Sequence, residues 1–438
     1  GTLLPAAEGK ICGLQAVELP GRSTPGLFVQ SAAGDRFYEA SEAGEFRDLT
    51  DELKLKTRSK AAAWGDFDGD GLLDLASWDG KELTFCRMTE TGTLAPEPIE
   101  LAIDDVVSLT VAGAGKASRL VAATPEGPVL ASRGGDGNWS AQRLGEASLD
   151  KPGPAAVADV TGDGIADIVQ IFAREVLLAR GTGDGSFSDA KPAWASPAGA
   201  EDRVLVSDPA DLLTGDYDAD GLTDLLLVGR GPGDVQLLRN TGGQFLSAVT
   251  EAGEVTYNTG ESRPSGAVAW DVNNDGREEF LITIATDPPL PFFNRGFRTF
   301  GYARTLELAG SGLPPGAQAI NSGQQAGVAA DFDGDGMQEV ALAAADGKLV
   351  ILRLALNAGR GLALRVALPS GSAREVSVTA FERQRCLGVK TAAPGTPARF
   401  GKRRKGPLLL KWINPAGQEQ SKQVIVLKPT RIELPTAE

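Results

Sequence analysis

The residues of this 438-residue chain best suited to chemistry are aspartates that recur in five nine-residue segments. We call these segments the first to fifth loops; they span residues 66–74, 159–167, 216–224, 271–279 and 331–339. Each loop has aspartate at positions 1 and 5, glycine at position 6 and a carboxylate at position 9. Position 3 always carries a side-chain oxygen, on Asp68, Thr161, Asp218, Asn273 or Asp333.

This pattern predicts calcium binding. Calcium takes about six to eight oxygen ligands, and alternate residues of a tight turn aim their side chains inward. Glycine at position 6 permits the backbone to reverse, and the carbonyl group of position 7 adds a ligand. The predicted ligands are Asp66, Asp68, Asp70, Leu72 and Asp74; Asp159, Thr161, Asp163, Ile165 and Asp167; Asp216, Asp218, Asp220, Leu222 and Asp224; Asp271, Asn273, Asp275, Arg277 and Glu279; and Asp331, Asp333, Asp335, Met337 and Glu339.

We therefore predict about five calcium ions, one in each loop. The second and fourth loops have Thr161 and Asn273 in place of a position-3 carboxylate, so they should bind more weakly. The alternative is that these Asp-Gly segments are only turns. Five copies in the same register favour the calcium interpretation.

The sequence around the loops excludes an EF-hand, which needs a glutamate at position 12 and two flanking helices. Position 12 holds Ser77, Gln170, Leu227, Ile282 and Leu342, none of which is acidic. The flanks are apolar runs of four or five residues, such as 168–171 and 225–228, and runs of this length are typical of buried strands. Each loop is therefore predicted to join two strands of a hairpin.

The spacing of the loops predicts a repeat. Consecutive loops start 93, 57, 55 and 60 residues apart, and the long first gap leaves room for one more copy. That copy is predicted as strands at 108–112 and 120–123 around a turn at 113–119, and a further metal-free copy as segments 13–18 and 26–29. Segments 185–187 and 243–245 are predicted to end a repeat. About seven units of this length predict a β-propeller.

The loops and their apolar flanks resemble the FG-GAP/VCBS repeats of integrin-α-type seven-bladed propellers. The resemblance covers roughly residues 13–356. It implies a loop between the first two strands of a blade, with calcium bound there. The expected fold is all-β: a seven-bladed β-propeller with calcium-binding DxDxDG loops plus a small C-terminal β domain.

Charge divides the chain into two predicted domains. Residues 1–356 carry a net charge of −25 and residues 357–438 carry +10, with a plausible linker at 357–361. The basic segment is predicted to form a small β-sandwich or barrel, from the alternation at 375–380 and the apolar run at 408–412. It resembles the ASPIC/UnbV domain, with residues 411–417 as a looser form of its Arg-Trp-Pro-Ser-Gly signature. The resemblance implies an architecture found in secreted, cartilage-acidic-protein-like chains.

Composition excludes several functions. The chain has no histidine, which removes histidine-based catalysis and histidine-ligated zinc. Cys12, Cys86 and Cys386 form no CxxC motif, and the sequence does not say whether any disulfide forms. No apolar run approaches the ~18 residues of a membrane span. The acidic balance disfavours nucleic acid as a partner.

The sequence therefore predicts a secreted, periplasmic or cell-surface calcium-binding module for adhesion or for binding a protein or glycan. The chain begins with Gly1 and Thr2, and we expect that a signal peptide has been removed. The alternative is a polysaccharide-active enzyme, a lyase or glycosidase, using carboxylates in the propeller cleft. Its candidate groups include Tyr217, Tyr257, Asp202 and Glu261, although the Tyr217 ring is expected to pack.

The basic run at 402–405 is interpreted as a solvated turn, as a surface that docks on the acidic propeller, or as a polyanion or lipid site.

Overall fold

The computed structural model describes most of the chain. Outside the described residues lie 1, 5–8, 23, 42, 100, 102, 115–116, 147–149, 196–203, 233, 248–262, 286, 297–298, 303–322, 345–346, 354–361, 370–374, 394, 415–416 and 436–438. The described residues form strands and contain no helix, so the fold is all-β as predicted. The predicted linker at 357–361 lies outside the described residues.

Most strands up to Leu352 form consecutive four-stranded antiparallel sheets, which we number in chain order. The first three sheets are β2 (Ile11–Val17), β3 (Gly26–Ser31), β4 (Arg36–Ala40) and β5 (Phe46–Asp48); β6 (Ala61–Gly65), β7 (Asp74–Trp78), β8 (Leu83–Met88) and β9 (Leu94–Pro98); and β10 (Ser108–Ala114), β11 (Ala117–Thr124), β12 (Gly127–Arg133) and β13 (Trp139–Arg143).

The next three sheets have the same order. They are β14 (Pro152–Ala158), β15 (Asp167–Phe172), β16 (Glu175–Ala179) and β17 (Lys191–Ala195); β18 (Pro209–Gly215), β19 (Asp224–Gly229), β20 (Val235–Asn240) and β21 (Phe245–Ser247); and β22 (Pro264–Trp270), β23 (Glu279–Ile284), β24 (Leu290–Gly296) and β25 (Thr299–Tyr302).

The seventh sheet joins the two ends of this region. It contains β26 (Gln324–Ala330), β27 (Glu339–Ala344) and β28 (Leu349–Leu352), and its outer strand is β1 (Thr2–Leu4) from the start of the chain. Leu4 pairs with Leu349 in antiparallel register. A sheet edge that would otherwise be exposed is thereby paired, and the first and last segments are held together.

The sheets follow one another in a closed ring. The first strand of each sheet contacts the first strand of the next, in the order β2, β6, β10, β14, β18, β22, β26 and back to β2. Each pair of neighbouring sheets shares a separate hydrophobic core; Tyr217 and Phe280, for example, pack between the fifth and sixth sheets. The second strands β15, β19, β23 and β27 are buried along their whole length, which explains their continuous apolar runs.

The basic C-terminal segment forms two further sheets around its own core, which includes Phe400, Leu410 and Trp412. One sheet has the order β32 (Ala398–Lys402), β29 (Leu362–Ala367), β35 (Thr430–Glu433). The other has the order β31 (Arg385–Ala392), β30 (Val376–Glu382), β33 (Gly406–Ile413), β34 (Glu419–Val426). We call these two sheets the C-terminal sheets.

Two details of the predicted repeat were wrong. Strands β10 and β11 continue through most of the predicted turn at 113–119, where Gly113 pairs with Ser118 and Ala114 with Ala117. Phe187 makes only an isolated bridge to Gly181, and the outer strand of the fourth sheet is β17, further along the chain. Segment 243–245, in contrast, leads into β21 as predicted.

Across the described residues, no helix is long and apolar enough to cross a membrane.

Candidate metal centres

The five loops occupy equivalent places in the fold. Each lies between the first and second strands of its sheet, in the second, fourth, fifth, sixth and seventh sheets. The position-9 carboxylate is the first residue of the second strand in every case, as with Asp74 in β7 and Asp224 in β19. Because the first strands line the ring, all five loops open at the same end of it.

A shared set of backbone hydrogen bonds gives the loops one conformation. The position-1 carboxylate accepts from the amide of the position-6 glycine at 2.8–3.1 Å in all five loops. The position-9 carboxylate accepts from the position-2 amide at 2.9–3.1 Å. In the third loop Gly221 has φ of +92°, a conformation that glycine adopts at little cost. Position 4 is also left-handed, and there Asn274 and Ala219 replace glycine.

Three loops bring their carboxylates together. In each, one oxygen from each of three carboxylates lies within 4.8 Å of the others, a spacing that suits a shared cation. The three groups are Asp66, Asp68 and Asp70; Asp216, Asp218 and Asp224; and Asp331, Asp333 and Glu339. Within the described part of the chain, the second and fourth loops form no such group, and these are the loops that lack a position-3 carboxylate. Whether any of the predicted ligands binds metal stays a prediction.

Burial makes several carboxylates of these loops hard to ionise without a cation. It raises the pKa of Asp74 and of Asp224 to about 8, and that of Glu339 to about 7. Neighbouring carboxylates of the same loop raise each pKa further. A divalent cation among them would favour the ionised forms, since an opposite charge lowers the pKa of a carboxyl group.

Arginines that the sequence analysis missed lie beside the loops. Arg239 on β20 pairs with Asp218 at 2.9 Å and with Asp220 at 3.1 Å. Arg353, just after β28, contacts Asp335 at 2.9 Å and Glu339 at 3.2 Å. Arg239 lies near the end of the third strand of its sheet and Arg353 directly after the third strand of its own, 15 and 14 residues past position 9, and that recurrence was visible in the sequence.

The C-terminal sheets cover the end of the ring where the loops open. The amide of Glu18, just after β2, donates to the carbonyl group of Gly395 at 2.9 Å. The Glu375 carboxylate accepts from the Gly113 amide at 2.5 Å. A side chain at Gly164 in the second loop would meet Ile413, the last residue of β33.

The basic run at 402–405 has mixed surroundings. Lys402 is buried and pairs with Glu382, so the solvated-turn interpretation is wrong for this residue. Arg403 pairs with Asp275 of the fourth loop at 3.2 Å. The three cysteines are free.

Of the four groups considered for catalysis, Tyr217 is the one that lies among the described residues. Tyr217 is buried between two sheets, so its ring packs as expected. Tyr257, Asp202 and Glu261 lie outside the described residues.

Comparison with known families gives one match. Residues 216–282 match the model of the FG-GAP-like repeat. This segment starts at the first residue of the third loop and includes the whole of the fourth. No curated protein matches the sequence.

Solved structures resemble the fold at low sequence identity. Virginiamycin B lyase from Staphylococcus aureus is 10% identical with a TM-score of 0.50, covering 81% of this chain and 98% of that chain. A lectin from Agrocybe aegerita that recognises non-reducing terminal N-acetylglucosamine is 16% identical with a TM-score of 0.49, covering 89% and 99%. At these identities the likeness to the lyase concerns the fold alone. With the FG-GAP-like match, it supports a repeat β-propeller.

Proposed function

We propose that the protein is a calcium-stabilised, seven-bladed propeller that acts outside the cytoplasm as a module for binding a protein or glycan. The observation that carries the proposal is the convergence of three carboxylates in each of the first, third and fifth loops. Seven four-stranded sheets in a closed ring support the count of blades. The FG-GAP-like match favours a propeller-type binding module.

The donor set favours calcium over a transition metal. Each group offers only carboxylate oxygens, and the chain has no histidine to supply nitrogen. Oxygen ligands suit hard cations, and loop sites of modest affinity fill at the ~10⁻⁴–10⁻³ M calcium found outside cells. Secretion or surface display follows as part of the same proposal. The ions would be structural, because each loop ties the first two strands of a blade together.

The ligand would bind at the end of the ring opposite the loops. The C-terminal sheets, which we assign as the predicted ASPIC/UnbV-like domain, cover the loop end. A cavity of about 360 Å³ runs along the first strands of the first, fifth, sixth and seventh sheets and includes the starts of those strands at the other end of the ring. Its lining includes Cys12, Asp211, Ser265 and Gln325, which combine a thiol, a carboxylate, a hydroxyl and an amide. Polar groups of this kind can orient a small part of a protein or sugar ligand.

An ion count tests the proposal. Metal-free protein is dialysed against about 1 mM calcium, and the bound ions per chain are counted. We expect three or more calcium ions and no comparable uptake of magnesium at the same concentration. A count of zero would overturn the calcium proposal. Glycan and protein arrays probed with the calcium-loaded chain then test ligand binding.

The enzyme alternative gains no specific support from the described residues, so we propose a binding module rather than a lyase or glycosidase.

A further inference from the structure

We infer that the fourth loop takes its positive charge from the C-terminal sheets instead of from a metal ion, and that it is an ionic docking site for those sheets. This goes beyond the proposed calcium function, because it assigns the loop a partner within the chain. It also departs from the ligand set predicted for Asp271, Asn273, Asp275, Arg277 and Glu279.

Arg399 on β32 reaches into the fourth loop. One guanidinium nitrogen lies 3.6 Å from the carboxylate of Asp271 at position 1. The other donates to the side-chain oxygen of Asn274 at 2.6 Å and to the carbonyl group of Gly336 in the fifth loop at 2.7 Å. Arg399 is 9% exposed and Asp271 is 1% exposed, so this is a buried contact. A guanidinium in this position compensates the negative carboxylate charge that a metal cation would otherwise compensate.

Three more cations of the C-terminal sheets surround the same loop. Arg403 lies 3.2 Å and Arg385 3.9 Å from the carboxylate of Asp275 at position 5. Lys390 pairs with Glu278 at 2.6 Å. Four cations thus face the four carboxylates of residues 271–279. Among the described residues the third loop has one such partner, Arg239, for its four carboxylates, so it keeps an excess of negative charge that the fourth loop lacks. The fourth loop should therefore attract a divalent ion much less strongly.

The two asparagines of the loop, Asn273 and Asn274, already form hydrogen bonds with neighbouring groups. Asn273 donates to Glu279 at 2.8 Å, while its oxygen, the predicted position-3 ligand, accepts from Arg403 at 3.0 Å. Asn274 donates to the carbonyl group of Leu362 on β29 at 2.7 Å. These hydrogen bonds leave the position-3 oxygen facing an arginine.

Close packing supports the same assignment. A Cβ atom built on Gly401 of β32 would lie 2.0 Å from the Asp271 carboxylate and 2.4 Å from the Asn274 oxygen. A Cβ atom on Gly276 of the loop would lie 3.0 Å from Leu387. The two backbones therefore approach each other at glycines. The residues that a metal would use instead form one wall of the interface.

The test compares matched substitutions in the third and fourth loops of the full-length chain. At about 1 mM calcium, D220N in the third loop should lower the number of bound ions by one, and D275N in the fourth loop should leave it unchanged. Loss of one ion in D275N would overturn the inference.

Docking is followed separately by amide hydrogen exchange in strands β29 and β32, with calcium present and absent. R399M should speed exchange there by about tenfold or more, because it removes charge-assisted hydrogen bonds and leaves buried carboxylates unpaired. R403Q is a milder variant in case R399M does not fold, and it should raise exchange in the same strands. K422M, at an exposed lysine of β34, is the matched control and should leave exchange unchanged.

Unchanged exchange in both arginine variants would overturn the docking assignment. Failure of this inference can be distinguished from failure of the proposed calcium function. If the wild-type chain binds no calcium at all, the calcium proposal fails, whereas faster exchange in the arginine variants still supports docking.

Discussion

The third and fourth loops lie in adjacent sheets and share a backbone conformation, but their surroundings differ. In both, the position-1 carboxylate accepts from the position-6 amide and the position-9 carboxylate accepts from the position-2 amide. The third loop gathers Asp216, Asp218 and Asp224, and its arginine, Arg239, comes from its own sheet. The fourth loop is met by Arg399 and its neighbours from the C-terminal sheets.

This difference shows that the backbone conformation of a loop does not by itself determine which positive group lies against its carboxylates. The nine-residue pattern sets the turn, because glycine and the two inward carboxylates satisfy the backbone locally. The charge that compensates those carboxylates is then supplied by whatever covers the loop. If both proposals hold, one repeat serves as a cation site in one sheet and as a docking site in the next.

Of the changes that test this comparison, removal of calcium should have the largest effect on the free energy of unfolding. A site held at 100 times its Kd stabilises the folded state by about 2.7 kcal/mol, so losing the ions of the first, third and fifth loops should lower the free energy of unfolding several-fold more than any single substitution. Urea unfolding with calcium and with excess EDTA measures it. Equal unfolding free energies in the two conditions would contradict the prediction.

Substitution D218N should remove one ion and up to about 2.7 kcal/mol of calcium-dependent stability. The Asp218 side chain is 7% exposed and belongs to the carboxylate group of the third loop. With EDTA present the variant should unfold close to the wild type. D184N, in an exposed turn where Asp184 accepts from Thr182 and Ser186, is the control and should keep its full response to calcium. A calcium response in D218N as large as in the wild type would show that this group holds no ion.

Substitution G401A should weaken the contact between the fourth loop and the C-terminal sheets. The new methyl group would overlap the Asp271 carboxylate, and overpacking of this kind costs typically about 1–3 kcal/mol. Limited proteolysis should release the C-terminal sheets faster. G135A is the control, since a Cβ atom at Gly135 meets nothing within 4 Å. Equal cleavage rates for G401A and the wild type would show that the approach at Gly401 is not tight.

The smallest expected effect comes from restoring the missing position-3 carboxylates. T161D in the second loop should raise calcium affinity, by about 1.4 kcal/mol for each tenfold gain, because it adds a charged oxygen ligand. N273D in the fourth loop should add no ion, since four cations of the C-terminal segment already face the carboxylates of that loop. Isothermal calorimetry on both variants measures the difference. A new site in N273D would place the fourth loop with the loops that we propose to bind calcium.

Much of the fold could be predicted from the sequence. The apolar runs after each loop are second strands, and the repeat spacing indicates the sheets, including the one with strands β10 and β11 that lacks a carboxylate loop. The length of the turn at 113–119 was not predictable, because Gly113 pairs in the hairpin and small residues there are compatible with either strand or turn. Asn273 at position 3 predicted weak calcium binding, but nothing in the local sequence indicated that Arg403 lies beside it.

The sequence by itself determined the local structures: five turns with inward carboxylates, the strands on either side of them, and a basic segment distinct from an acidic one. These depend on interactions within about ten residues, which a sequence pattern reports directly. Only the tertiary structure decided that β1 closes the seventh sheet and that Arg399 lies 3.6 Å from Asp271. Those contacts join residues more than a hundred positions apart, and their partners are selected by the packing of whole sheets rather than by any local pattern.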